Sequence, residues 1–210
     1  MSNLNELLAR VRADLRDTAG EIWSDAELTA HLRRALHEYS IATPLLAMAT
    51  LTAIGGQHIY PLTPLGDLLH VVDVWYPYDP VTPQHPPHRP PWQVLPGNRL
   101  YLPVDRVVAG IDHIAVHYAR IHTLQGLDGA LITTPDAYGW ELLVWGATAH
   151  AAMQLAGDRI DGATEPSWTL QEWREWAVTR NQAFRRALDD LRRRLVLPSD
   201  ARVAPVDGTV

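Results

Sequence analysis

The sequence predicts an α+β fold: a mainly helical bundle of two N-terminal and two C-terminal helices, with an inserted small antiparallel β subdomain and an extended C-terminal tail. Apolar residues recur at helical spacing towards both ends of the chain, whereas strand-like segments divided by proline and glycine occupy the middle. The predicted division is a helical pair at 1–54, a β-rich insertion at 55–125, a second helical pair at 126–196 and the tail at 197–210. We expect these segments to form one structural domain.

Composition limits the classes of protein that this chain can represent. Its 210 residues are 47% hydrophobic and 20% charged, which is typical of a globular chain able to bury a core. The absence of cysteine excludes disulfides, thiolate metal sites and cysteine nucleophiles. A net charge of −6 disfavours proteins that grip nucleic acid, because neutralising phosphates requires positive charge. The N-terminus is unlike a signal peptide, and no stretch reaches the ~20 apolar residues of a membrane span.

The first predicted helix runs from about Asn3 to Asp17. Asn3 and Glu6 form a weak capping signal at its start, and the pattern stops at Gly20. Its apolar residues recur every three or four positions: Leu4, Leu7, Leu8, Val11 and Leu15.

The second helix has a stronger start signal. Ser24 and Glu27 are spaced as a capping box, in which each side chain accepts a hydrogen bond from the other residue's backbone amide. Trp23 and Leu28 stand where a hydrophobic staple would close around that cap. Pro44 is expected to bend or end the helix.

Strand signals fill the centre of the chain. "GGQHIYPL" (55–62) reads as a turn and a short strand, and "DLLHVVDVWY" (67–76) as a longer, mostly buried strand. Seven of the sixteen prolines then fall between Pro77 and Pro91, which favours an extended loop that cannot pair as a central strand. Strand character resumes in "WQVLPGNRLYLP" (92–103) and "GIDHIAVHYARI" (110–121).

The third helix is predicted to begin at Thr134 and Pro135, as an N-cap and a first helical residue. The stretch Leu142–Gly157 contains no charged residue, and its apolar and small side chains surround the helix. Such a helix must be covered on several sides.

The last helix repeats the start signal of the second. Thr169 and Glu172 are spaced as a capping box, with Trp168 and Trp173 as the staple. Three arginines, 192–194, occupy its last turns, where positive charge stabilises the helix dipole.

A search for chemical sites gives no coherent set of residues. His113 and His117 share a strand face but lie roughly 13 Å apart, which is too far to chelate one ion. The acids of "DLRD" (14–17) and "LDD" (188–190) stand beside arginines and are expected on solvated helix faces. No phosphate-binding, metalloprotease or hydrolase motif is present. We therefore expect no enzymatic activity, catalytic residue, cofactor or metal.

Tryptophan is unusually frequent, with eight residues against a single phenylalanine. Aromatic side chains left over after a core is filled are enriched at protein interfaces. Trp140, Trp145 and Trp176 are therefore candidates for contacts between subunits, and burial within one chain is the alternative for the helix that carries the first two.

The order of elements and motifs resembles one family of proteins. A short helix, an Asp-containing turn and a Trp-Ser/Thr-Asp-x-Glu-Leu motif precede an amphipathic helix, a strand of pattern G-x-x-x-Y-x-L, and two further helices. The matching positions are Trp23-Ser24-Asp25-Ala26-Glu27-Leu28, then Gly56, Tyr60 and Leu62, then Pro135, Leu142 and Leu143, and finally Thr169 to Leu195. In these features the chain resembles the head-to-tail adaptors of tailed bacteriophages and gene-transfer particles, also called connector or head-completion proteins.

This resemblance implies a non-enzymatic structural protein of the virion neck, assembled in the host cytoplasm. Its expected partners are copies of itself in a ring, commonly a dodecamer, the portal protein and a stopper or tail-tube protein, with DNA only as passing cargo and no membrane. The tail is expected to grip the portal, with Arg202 reaching an acidic patch and an apolar set as anchors: Leu197, Val203, Pro205 and Val206. The alternatives are a helical DNA-binding regulator, a different neck protein such as a stopper or tail-completion protein, and a small hydrolase or metalloprotein.

Overall fold

The computed structural model describes residues 3–105, 113–158 and 170–195 and confirms the α+β class. The helices are α1 (Leu4–Asp14), α2 (Asp25–Ala42), α3 (Ala137–Asp158) and α4 (Leu170–Arg194). The strands are β1 (Leu45–Thr52), β2 (Ile59–Pro61), β3 (Leu68–Tyr78), β4 (Gln93–Leu95), β5 (Arg99–Tyr101) and β6 (His113–Arg120). Within the described ranges, no helix is both long and apolar enough to cross a membrane.

The chain divides into two compact units. The helical unit contains the residues up to Pro44 and those from Ile121 to Leu195, and therefore all four helices. The β unit contains Leu45–Arg120, and therefore all six strands.

The helical unit has one hydrophobic core, to which all four helices contribute buried residues. A Cβ added at Gly146 of α3 would lie 2.9 Å from the Ala35 side chain of α2 and 2.8 Å from the Phe184 ring of α4. The absence of a side chain at Gly146 therefore lets three helices approach closely. The part of the uncharged stretch from Leu142 to Ala152 is largely buried, whereas Met153 and Gln154 are exposed.

The β unit contains two three-stranded antiparallel sheets. The larger sheet has the order β1-β6-β3, and the smaller sheet has the order β2-β5-β4. Their buried residues form a second hydrophobic core, which includes Leu62, Val74, Leu100 and Ile114. The turn between β4 and β5 has positive φ at Gly97 and Asn98, as a tight hairpin connection requires.

The prediction of a helical pair over residues 1–54 was wrong at its C-terminal end. Helix α2 ends at Ala42, and Leu45–Thr52 is strand β1, paired residue by residue with β6. Leucine, alanine and methionine favour a helix, but Pro44 prevents α2 from continuing into them. Pairing with β6 and the partial burial of alternate side chains then stabilise the strand.

The first helix is also shorter than predicted, since α1 ends at Asp14 and Leu15 is its C-cap. Its N-cap agrees with the sequence, because the Asn3 side chain accepts a hydrogen bond from the Glu6 amide at 3.0 Å.

The proline-rich loop is anchored at its base and exposed at its tip. Pro77 lies in β3, an edge strand that tolerates a residue without an amide hydrogen. In the returning part of the loop, the carbonyl of His88 accepts a hydrogen bond from the amide of Tyr76 in β3 at 3.1 Å. Arg89 forms an ion pair with Asp73 of β3 at 2.8 Å. The returning part of the loop is thus held along the strand, and residues 80–86 are left exposed.

Candidate functional site

The turn between α1 and α2 is built around the carboxylate of Asp17, which is only 4% exposed. Its two oxygens accept hydrogen bonds from the backbone amides of Glu21, Ile22 and Trp23, at 2.8, 3.2 and 3.1 Å. The guanidinium of Arg12 donates to the same carboxylate at 3.1 Å. The buried charge is therefore balanced by one cation and three amides, as burial requires.

This arrangement corrects the expectation that the acids of "DLRD" lie on a solvated helix face. Asp17 lies beyond the end of α1 and is buried, whereas the acids of "LDD", Asp189 and Asp190, are exposed. Local charge pattern could not separate these cases, because both segments place acids beside arginines.

Arg12 also connects the turn to the second helix. Its other terminal nitrogen donates to the exposed carboxylate of Asp25 at 2.6 Å, so a single guanidinium bridges Asp17 and the first residue of α2. The exit from α1 and the entry to α2 are thereby fixed relative to each other.

The start of α2 has a complete capping box. The hydroxyl of Ser24 accepts from the amide of Glu27 at 3.2 Å, and the carboxylate of Glu27 accepts from the amide of Ser24 at 2.8 Å. These hydrogen bonds, first from the Ser24 amide and then from its hydroxyl, lower the pKa of the Glu27 carboxyl. Trp23 and Leu28, the two residues expected as a staple, are both buried in the core of the helical unit.

The tryptophans of the two helix starts meet in the folded chain. The ring of Trp23 packs edge-on against that of Trp173 at a centroid distance of 6.1 Å, and Trp173 packs edge-on against Trp176 at 5.8 Å. Such T-shaped pairs add to the free energy gained by burying the rings. The start of α4 is therefore packed against the start of α2, and Glu172 lies exposed beside it. Trp168 and Thr169 lie outside the described residues.

Arg180 packs against Trp176 of this aromatic cluster and against a further tryptophan. Its guanidinium lies over the ring of Trp145 at 5.2 Å and that of Trp176 at 5.8 Å, and it forms an ion pair with Asp14 of α1. The cation–π contact with Trp145 joins α4 to α3, and the ion pair with Asp14 joins α4 to α1.

The candidate intersubunit residues Trp140, Trp145 and Trp176 all pack partly against the core of the helical unit. Each is half-buried, so each contributes to the single chain and also keeps an exposed part. The five candidate portal-binding residues, 197 to 206, lie outside the described residues.

A second polar cluster, which we call the polar junction, lies where α2, α3 and α4 meet. The carboxylate of Glu38 is 3.2 Å from Arg34 Nε, 3.6 Å from His150 Nε2 and 3.8 Å from Arg185. His150 is only 4% exposed, and its ring packs edge-on against Phe184. Within the described ranges neither of its ring nitrogens has a hydrogen-bond partner.

Burial lowers the pKa of His150 to about 4, and the charge of Glu38 opposes this shift. The nearby cations Arg34 and Arg185, together with His31, lower it further. Burial also lowers the pKa of His31, against the effect of its hydrogen bond with Gln154. His150 is therefore a neutral, buried imidazole at neutral pH.

Sequence reasoning did not identify the polar junction, although one signal was present. His150 is the only titratable residue in the uncharged stretch Leu142–Gly157, and a helix covered on several sides must bury it. Its partner Glu38 could not be identified, because it lies 112 positions earlier in the sequence.

The histidines of β6 lie where the sequence places them, four positions apart on one strand. Within the described residues, no group of three or more His, Asp or Glu side chains is arranged to hold a metal ion. The polar groups that the structure brings together instead serve helix connection and packing.

Replacing Asp17 tests whether the buried carboxylate organises the first turn. We expect Asp17→Ala to lower the free energy of unfolding by about 3 kcal/mol, because three amides and a guanidinium lose their shared acceptor. Asp25→Ala, which removes the exposed partner of the same Arg12, should cost no more than about 1 kcal/mol. Urea denaturation followed by circular dichroism gives both values, and equal losses would contradict this account.

Acidification tests the polar junction. The folded-state pKa of His150 lies below its ordinary value of about 6.5, so the unfolded chain binds the proton more readily. Stability should therefore be lost as pH falls from about 6.5 towards 4, by up to roughly 3 kcal/mol from this group. Denaturation at pH 7 and pH 4.5 gives the free energy of unfolding at each pH. Between the two, this free energy should fall less for His150→Gln than for the original chain.

The matched control for acidification is His37→Gln, because His37 is exposed on α2. The free energy of unfolding of the His37→Gln variant should depend on pH as that of the original chain does. If the His150 and His37 variants lose stability equally on acidification, the buried imidazole does not determine the dependence.

Comparison with known proteins gives no assignment. No protein-family model matches the chain, and a search of curated proteins finds no match.

Proposed function

We propose that the chain is a structural virion protein, a head-to-tail adaptor that forms a ring between the portal and the stopper or tail of a bacteriophage. The observation that carries this proposal is the opening of the helical unit. There the motif Trp23–Leu28 follows a short helix and an Asp-centred turn and begins an amphipathic helix with a complete capping box. This is the combination that the adaptor family uses at its N-terminus.

We propose further that the four helices form a single bundle that builds the ring wall. Support comes from their shared hydrophobic core and from the close approach of α2, α3 and α4 at Gly146. In this proposal the exposed parts of Trp140, Trp145 and Trp176 contact a neighbouring subunit. Half-buried aromatic side chains suit that role because they are already held in place by the monomer.

The charge of the chain suits a channel through which DNA passes without being retained. Twelve copies at −6 each would give an assembly of about −72, and an acidic lumen would repel the phosphates of the DNA. The first turn of α2 presents Asp25 and Glu27, both exposed. Acids at that position disfavour the alternative in which this helix reads a DNA groove.

The tail is proposed as the portal anchor. Pro198 prevents α4 from continuing as a helix, and the residues beyond it carry small apolar side chains with few charges. Such a segment can gain order on binding, either at a sheet edge or in a groove. Leu197, Val203, Pro205 and Val206 would provide the apolar contacts, and Arg202 would meet an acidic patch.

Light scattering of the purified chain tests the ring. We expect a mass near twelve times the 23.5 kDa subunit at high protein concentration. We also expect no retardation of double-stranded DNA at low salt, where electrostatic binding is strongest. A strictly monomeric chain that shifts DNA would overturn the adaptor proposal in favour of the regulator.

Truncation after Leu197 tests the tail separately. The truncated chain should keep the far-ultraviolet circular dichroism and the unfolding midpoint of the full chain, because the deletion leaves all four helices intact. It should lose co-purification with the portal protein of the same virus. If truncated protein binds that portal as the full chain does, the tail is not the anchor.

A further inference from the structure

We propose that the ion pair between Arg33 and Asp128 protects the main chain at Asp128–Gly129 against conversion of the aspartate to isoaspartate. The residues concerned are Arg33 of α2 and the turn Leu127–Ala130, which we call the Asp-Gly turn and which lies between β6 and α3. Arg33 acts as a positioning residue for the carboxylate. The inference concerns the chemistry of this turn and does not rest on the proposed ring.

The geometry of the Asp-Gly turn requires a reactive pair of residues. Both central positions have positive φ, 51° at Asp128 and 79° at Gly129, and the carbonyl of Leu127 accepts from the amide of Ala130 at 2.9 Å. Aspartate and glycine are among the few residues that adopt such a backbone readily. The same dipeptide is chemically labile, because glycine has no side chain to hinder attack by its own amide nitrogen.

The conversion takes two steps. The amide nitrogen of Gly129 attacks Cγ of Asp128, a C–N bond forms and a Cγ–O bond breaks, so that the carboxyl OH and the amide hydrogen leave as water. The product is a five-membered succinimide. Water then opens either imide C–N bond: cleavage at Cγ restores aspartate, and cleavage at the main-chain carbonyl carbon gives isoaspartate, in which the main chain runs through Cγ. The water released in the first step is taken up in the second, and no oxidant or reductant is needed.

The nucleophile of this reaction is accessible. Asp128 and Gly129 are both exposed, and within the described ranges the amide of Gly129 donates to no carbonyl or side chain. The neighbouring amides of Leu127 and Ala130 are bonded, to the carbonyls of Leu124 and Leu127, both at 2.9 Å. Protection therefore has to act on the carboxylate.

Arg33 engages both oxygens of that carboxylate. Its Nε donates to one oxygen of Asp128 at 2.8 Å, and a terminal nitrogen donates to the other at 2.6 Å. Each oxygen thus has its own N–H donor, the bidentate geometry in which arginine binds a carboxylate most strongly. This hydrogen bonding lowers the pKa of the Asp128 carboxyl, and the positive charge of Arg33 lowers it further. Loss of an oxygen as water requires a neutral carboxyl and requires that oxygen to leave Arg33, so the ion pair opposes the first step in two ways.

The ion pair is preorganised although its side chains are 50% and 60% exposed. Exposed pairs usually contribute little, in part because two flexible side chains must be ordered. Here the backbone at both ends is fixed by the core of the helical unit, since Leu32 and Leu36 of α2 and Leu127 of the turn are buried in it. The exposed pair still opens at times, so it slows the reaction and does not abolish it.

Isoaspartate in the Asp-Gly turn would disturb the approach to α3. Its extra main-chain carbon would lengthen the connection between the buried Leu127 and Thr134. The hydroxyl of Thr134 is hydrogen-bonded to the amide of Thr123 and lies within hydrogen-bond distance of the ring of His122, both at 2.9 Å. Protection of Asp128 therefore preserves a connection that is fixed at both ends.

Ageing of the purified full chain at pH 7 tests the inference. Isoaspartate at Asp128 would be quantified in proteolytic peptides by electron-transfer fragmentation. Arg33→Gln should raise the initial rate of isoaspartate formation at Asp128 roughly five-fold, the size expected for loss of an exposed ion pair. The two further Asp-Gly dipeptides, at 161–162 and 207–208, lie outside the described residues and serve as internal references whose rates should not change. Equal rates at Asp128 in the original chain and the variant would overturn the inference.

The matched control is Arg10→Gln. Arg10 also forms an exposed ion pair, with Glu141 at 2.9 Å, and its side chain is likewise 50% exposed. This variant should leave the rate at Asp128 unchanged. An acceleration as large as that in Arg33→Gln would mean that loss of any surface ion pair has the same effect, and the inference would fail.

A second background separates protection of the carboxylate from simple restraint of the turn. Asp128→Asn forms the same succinimide by releasing ammonia, a reaction that needs no protonated carboxyl and offers Arg33 only one acceptor oxygen. In this background Arg33→Gln should change the rate of deamidation less than two-fold, whereas restraint of the turn would be lost equally in both backgrounds. A similar acceleration by Arg33→Gln with either residue at position 128 would show that Arg33 only restrains the backbone, and would overturn the proposal.

Discussion

The buried carboxylate of Asp17 is the interaction on which the helical unit most depends. A charge in a nearly dry environment is tolerated only when its oxygens are satisfied, and here the amides of residues 21–23 and the guanidinium of Arg12 do so together. The same contacts direct the chain from α1 into α2 and place Trp23 in the core. From there the ring of Trp173 continues the packing into α4. The carboxylate of Asp17 thus helps to position the helices that bury the apolar core of the helical unit.

The sequence predicted the helices better than the strands. Caps and apolar periodicity are local signals, so the start of α2 and the burial of α3 could be recognised without tertiary information. Strand β1 could not, because its residues favour helix and only the distant β6 makes the extended form stable. The end of α1 was misplaced for a related reason, since Asp17 serves the turn and not the helix face.

The candidate site was partly recognisable for the same physical reason. Ser24 and Glu27 interact across three positions, and their spacing alone identifies them. Glu38 and His150 interact across helices, and no spacing rule reports such a pair. The hydroxyl of Thr123 likewise donates to the carbonyl of Ile132, and the amide of Gln125 donates to the hydroxyl of Thr133, and no spacing rule identifies these pairs from the sequence. The role given to the tail remains a prediction from its sequence.

The insertion of the β unit between Pro44 and Ile121 has a consequence for synthesis on the ribosome. The six described strands of the β unit all lie between Leu45 and Arg120, so they are available as soon as Arg120 has emerged. The helical unit is discontinuous, and its core lacks α3 and α4 until the last third of the chain is made. Until then the apolar faces of α1 and α2 stay exposed to solvent. Nascent chains with such exposed apolar surface depend on chaperones to avoid aggregation.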